Sequence, residues 1–200
     1  MRALKHISSI QAGLLILATL CASPVALADM AGDFEANLTA IIDVVRAPEP
    51  DEAELARHID FAAITRGVLG KHGKTLSEEQ RTRFQAEFEK SMFALLRSAT
   101  AAAGDFDIKV TQTKISEKRS TAGQAYANVI QQNGQKIAVI ASVAQQADGW
   151  KVRNLIFDGV NLGLTYRNQF DELMNRHNGN ADQAIDAWAQ IGAQNALDAE

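Results

Sequence analysis

The chain has 200 residues, with 20 Lys+Arg against 24 Asp+Glu, a formal net charge of −4 and one cysteine. An acidic balance argues against a nucleic-acid partner, whose phosphates call for basic surface, and a single cysteine leaves no internal disulfide framework. The length and a hydrophobic fraction of 46% suit one domain with a sizeable core.

The first 28 residues read as a cleaved signal peptide. Arg2 and Lys5 give a basic start, Gly13 to Leu20 is a short apolar run, and Ala26-Leu27-Ala28 is a small-residue cleavage site. The run is shorter than the roughly 20 residues that cross a bilayer. Cys21 raises lipid attachment as an alternative, but Leu20 before it stands where such a site wants a small residue. Removal after Ala28 leaves 29–200 as a single exported domain, with 18 Lys+Arg, 24 Asp+Glu, a net charge of −6 and no cysteine.

Asp33 is positioned to cap a first helix whose apolar face is Phe34, Leu38, Ile41, Ile42 and Val45, ended by Pro48 and Pro50. Asp51 and Glu54 start a short helix carrying Leu55 and Ile59. Asp60 opens another, with Phe61, Ile64 and Val68 inward and Gly70 as its stop. Ser77 and Gln80 form a capping box for the longest helix, roughly 37 Å at about 1.5 Å per residue. Its inner stripe is Phe84, Phe88, Met92, Leu95 and Ala99, up to Gly104.

From Asp105 the period switches to two. Phe106, Ile108 and Val110 alternate with polar neighbours, and Glu117 to Ala122 reads as a turn. Ala125 to Gln132 is a second strand, Asn133-Gly134 a hairpin turn, and Lys136 to Ala144 a third strand, apolar or small on both faces. Asp148-Gly149 turns into a fourth, where Trp150, Val152, Asn154 and Ile156 share one face by alternation. Asp158-Gly159 breaks that strand and Asn161 caps a helix with Leu162, Tyr166, Phe170 and Leu173 on one side. Gly163 in its first turn either lets the helix approach the sheet closely or leaves space at an opening. After the turn His177-Asn178-Gly179, a last helix carries Ala184, Ile185, Trp188 and Ile191. The order is α+β: N-terminal helices, a four-stranded antiparallel meander, then two helices.

Catalytic signals are weak. His58, His72 and His177 show no metal-ligand spacing, and no nucleophile elbow or phosphate loop is present. Lys71, His72, Lys74, Arg81 and Arg83 make a small basic cluster, either a solvated face or a docking patch for an acidic partner or headgroups.

Trp150-x-Val152, then Asp158-Gly159-Val160-Asn161-Leu162 and Tyr166-Arg167-x-Gln169-Phe170, resembles the signature of the MlaC family of periplasmic phospholipid-binding proteins, also called toluene-tolerance or auxiliary transport components. Val68-Leu69-Gly70, Glu79-Gln80 and Phe84 follow the same family's Leu-Gly turn before a long helix. Asn161 stands where the family usually has Ser, and Lys71-His72-Gly73 where it has a Trp. The resemblance implies a curved, cone-shaped sheet of the cystatin or nuclear-transport-factor-like kind, with helices enclosing an apolar pocket. It further implies a periplasmic carrier of diacyl phospholipid. Such a carrier shuttles between an outer-membrane lipoprotein–porin complex and an inner-membrane ABC transporter with its lipid-binding ring, and needs no cofactor of its own. The expected pocket lining is Phe84, Phe88, Met92 and Leu95 on the long helix; Val110, Ile137, Val139, Ala141, Val152 and Ile156 on the sheet; and Val160, Leu162, Gly163, Tyr166 and Phe170 at the corner. The rival expectation is a small acid–base enzyme, an isomerase or hydrolase in the same fold, using Asp158 with Tyr166 or His177.

Overall fold

The computed structural model describes residues 24–47 and 49–197. Arg2, Lys5 and Cys21, on which the signal-peptide expectation rests, lie outside the described residues, as does Pro48. Six α-helices and five strands follow in the order α1 (Pro24–Arg46), α2 (Glu52–Arg57), α3 (Phe61–Leu69), a 3-10 turn (His72–Lys74), α4 (Glu78–Ala103), β1 (Phe106–Ser116), β2 (Arg119–Gln131), β3 (Lys136–Gln146), β4 (Gly149–Phe157), β5 (Val160–Asn161), α5 (Leu162–Arg176) and α6 (Ala181–Leu197).

Local chemistry sets most of these boundaries. Asp51 accepts the Ala53 and Glu54 amides at the start of α2, and Asp60 accepts that of Ala63 in α3. Ser77 and Gln80 close a reciprocal capping box on α4, and Asn161 accepts the Leu164 amide in α5. Gly70 and Gly104 end α3 and α4 at φ of 51° and 61°, where a side chain would be strained. Asp33 is not a cap, because α1 runs through it from Pro24. Proline suits a first helical turn, and the Ala- and Leu-rich residues after it carry the helix onward.

The sheet is an antiparallel meander of order β1-β2-β3-β4-β5. Expected turns contract, so that only Glu117-Lys118 separates β1 from β2. The fifth strand was not expected. Asp158 and Gly159, at φ of 48° and 78°, form a two-residue turn with the twist that hairpins favour, and Val160-Asn161 folds back on β4. The linker before α3 also joins this edge: Asp60 N–H donates to Val152 O (2.9 Å), and Val152 N–H to His58 O (2.8 Å).

Register corrects one expectation about faces. Between Ser142 and Val143 the pairing with β4 slips, so Val143 opposes Val152 while Ser142 opposes Asn154. Arg153 is the extra residue of this bulge, and its guanidinium reaches Asp60 at 2.8 Å, tying β4 to the start of α3. Leu155 and Phe157 therefore share the face of Val152, whereas Ile156 moves to the opposite face across from Ile140.

Two apolar clusters hold the layers together. Phe34 and Leu38 of α1 pack on Ala125, Val143, Trp150 and Val152 of the sheet, with the Phe34 and Trp150 rings 4.8 Å apart. Gly123 admits this approach, since a Cβ there would stand 2.9 Å from Lys114 O and 3.3 Å from Phe34. The second cluster lies among α2 to α6. Phe84 meets Phe170 at 4.6 Å and Trp188 at 5.2 Å, and Phe88 meets Tyr166 at 5.5 Å. Burying each such aromatic side chain stabilises the fold by about 1.5–3 kcal/mol.

Candidate functional site

Between the two clusters the apolar face of the sheet is left unfinished. Ile108, Val129 and Ile137 stand in one cross-strand row, and Val110, Ala127, Val139 and Phe157 in the next. Among the described residues, Ile108, Val129, Ile137 and Val139 remain half-exposed and pack against neither cluster. Phe157 (40% exposed) and its β5 partner Val160 (51%) extend this surface to the β4–β5 turn, and Leu164 (53%) and Leu95 (42%) add exposed apolar rim on α5 and α4.

A cavity of about 70 Å³ lies between β4 and helices α3, α4 and α5. Ile59, Phe61 and Ile64 line it from the α3 side, and Phe88 and Met92 from α4. Val152, Asn154 and Leu155 contribute from β4, and Leu162, Gly163 and Tyr166 from α5. Two of its members carry polar groups, Asn154 and Tyr166. Asn154 Oδ1 accepts the Gly163 amide (3.0 Å), and its Nδ2 donates to Asn161 Oδ1 (3.1 Å), which also accepts the Leu164 amide.

Of the residues expected to line a pocket, Phe88, Met92, Val152, Leu162, Gly163 and Tyr166 meet at this cavity. Val110, Ile137, Val139 and Ala141 share one sheet face outside it, and Ile156 is on the other face. Leu95 and Val160 are on the exposed rim. Phe84 and Phe170 are fully buried against each other and Trp188, inside the helical core and away from the cavity. The long helix turns its stripe as it climbs, so that Phe93 rather than Leu95 is buried, against Phe61 at 5.6 Å. Ile59, Phe61, Ile64 and Leu155 escaped the sequence reading as lining. The linker pairing with β4 and the bulge at Arg153, which bring them there, have no local signature.

Gly163 combines its two alternatives. It lines the cavity, and a Cβ on it would meet Asn154 Oδ1 at 2.6 Å.

The acid–base constellation does not assemble. Asp158 is in the exposed β4–β5 turn, with its amide on Ala138 O, while His177 ends α5 at the far side of a helix about 22 Å long. Burial pushes the Tyr166 hydroxyl up from its ordinary value, which keeps it a neutral phenol in contact with Phe88 and Trp188. Among the described residues no group of His, Asp and Glu is placed to hold a metal ion, and no helix is long and apolar enough to cross a membrane.

Comparison with known proteins agrees with this geometry. The toluene tolerance protein ttg2D of Pseudomonas putida is 30% identical over 133 residues, which cover 66% of this chain and 60% of that protein. The chain thus spans about three fifths of the length of that relative. A phospholipid-binding protein of Ralstonia solanacearum, solved in complex with a phospholipid, has the same fold, with a TM-score of 0.69 at 19% identity over 84% of this chain and 98% of that one. The family model described as MlaC protein matches residues 41–190, from the last turns of α1 to just past the middle of α6, and the chain belongs to that family.

Proposed function

We propose that this chain is a periplasmic phospholipid carrier, exported by cleavage after Ala28, which hides acyl chains between the sheet and the helices while the headgroup stays in water. The observation that carries the reading is a cavity between β4 and the helices whose lining is apolar apart from the neutral Tyr166 phenol and Asn154, which is bonded to the Gly163 amide. Two acyl chains hold roughly 30 methylenes at about 0.8 kcal/mol each, so a carrier must shelter on the order of 24 kcal/mol of apolar hydration. Sites for ligands of ordinary size occupy about 300–1,000 Å³, well above the 70 Å³ seen here. Seating a diacyl lipid therefore requires α4 and α5 to part from β4, with the chains extending over the rows of Ile137 and Val139. Those rows pack against neither cluster, so they yield at low cost.

The lipid-bearing relative in fold supports a phospholipid as cargo. Membership of the family supports shuttling between an outer-membrane complex and an inner-membrane ABC transporter. The test is transfer of a fluorescent phospholipid from donor to acceptor vesicles that do not collide. A carrier accelerates transfer in proportion to protein concentration; an unchanged rate with folded protein refutes the reading.

A further inference from the structure

A cleft of about 540 Å³ between α3, the 3-10 turn and the start of α4 is not used by the carrier reading. Its floor is Ala62, Thr65 and Leu69, and its rim carries Arg66, Lys74 and Arg81 with one carboxylate, Glu78.

Most of the neighbouring basic residues are already neutralised. Lys71 and His72 both reach Asp171, at 2.7 and 2.6 Å, and Arg83 is held by Asp182 and Asp186. The rim differs. Arg66 and Lys74 make no side-chain hydrogen bond or ion pair among the described residues, and Arg81 gives one guanidinium nitrogen to the carbonyls of Gly73 and Leu76. Thr65 at the floor satisfies its hydroxyl on Phe61 O at 2.7 Å. What remains for a ligand is an apolar floor ringed by cations.

We propose that this cleft docks an acidic, amphipathic segment of a partner protein, with an apolar side chain on Leu69 and Ala62 and carboxylates on Arg66, Lys74 and Arg81. Its volume suits a stretch of side chains better than one small anion. An anionic bilayer would be repelled by a processed chain of net charge −6. A narrow acidic segment instead meets only the basic cleft, and charge complementarity of this kind steers encounter and selects partners. A partner held here leaves the apolar rim uncovered, and the site is independent of whether the cavity takes lipid.

The experiment measures fluorescence anisotropy of a labelled peptide of alternating Glu and Leu, and of its Gln-for-Glu counterpart, with the processed full chain. The Glu peptide should bind with salt-sensitive affinity, and Arg66→Glu with Lys74→Glu should weaken it at least about tenfold. Charge reversal at the exposed Lys109 of β1 should leave binding unchanged, and lipid content measured by native mass should be the same in every variant. If the reversed pair lowers Tm, Arg66→Gln with Lys74→Gln replaces it. Equal binding by the cleft variant, an equal loss of binding in the Lys109 variant, or equal binding of the Gln peptide overturns the proposal. So does displacement of the peptide by an equal concentration of inorganic phosphate, or capture of anionic vesicles through Arg66 and Lys74.

Discussion

Replacing Gly163 by Ala tests the corner at which the apolar cavity meets α5. The new Cβ would stand 2.6 Å from Asn154 Oδ1, closer than such atoms approach, so the carboxamide must swing away. Its bonds to the Gly163 amide and to Asn161 go with it. At about 1 kcal/mol net for each hydrogen bond, the loss is about 2 kcal/mol. Exchanging Gly for Ala inside a helix returns up to about 1 kcal/mol, so the variant should be less stable by about 1 kcal/mol. Asn154→Ala alone should cost about 1–2 kcal/mol. With Asn154 already truncated the clash is gone, and Gly163→Ala should then be neutral or stabilising. The two substitutions should thus couple by about 2 kcal/mol, read from urea unfolding midpoints at constant slope. Additive effects, or a Gly163→Ala variant more stable than the parent, would refute the close-approach role. A bulkier residue such as Trp meets the same oxygen first, so it should break this latch as well as fill the cavity.

Three further outcomes follow from the same geometry. Ile64→Phe should fill part of the cavity, holding or raising Tm by the equivalent of about 0.5–2 kcal/mol while lowering co-purified lipid; a lower Tm with full lipid would place the cargo elsewhere. Asp158→Asn and His177→Ala should each leave lipid content unchanged, since Asn also tolerates the positive φ of that turn and neither residue touches the cavity. Hydrogen bonds from Lys71 and then His72 hold the Asp171 carboxyl below its ordinary value near 3.8. Its folded pKa is depressed, so the stability it adds is present above that value and is lost as pH falls below it. Acid titration of Tm should show this loss in the parent and not in Asp171→Asn, and equal acid sensitivity of the two would remove the role given to Asp171.

Elements whose signal is local were legible in the sequence. Asp51, Asp60, Ser77 and Asn161 cap the helices they were expected to cap, because an N-cap depends on a side chain and amides two or three residues away. The meander was legible through Asn133-Gly134 and Asp148-Gly149. What escaped depends on distant partners. Ile156 was assigned by alternation, and the bulge that inverts it exists because Arg153 reaches Asp60, 93 residues earlier. Phe84 and Phe170 carry the same periodicity as Phe88 and Tyr166, and only the arrival of Trp188 from α6 decides that they close a core. The cleft at Arg66 was likewise hidden, since pairing of Lys71 with Asp171 removes one of the cations expected there.

The most direct test of the carrier account is native mass spectrometry of the processed chain purified from the periplasm without added lipid or detergent, followed by organic extraction. The account predicts a species starting at Asp29 that is heavier than the polypeptide by one or more diacyl phospholipids, recovered in the extract with mixed headgroups. A folded chain at its bare polypeptide mass, with no phospholipid in the extract, would contradict it.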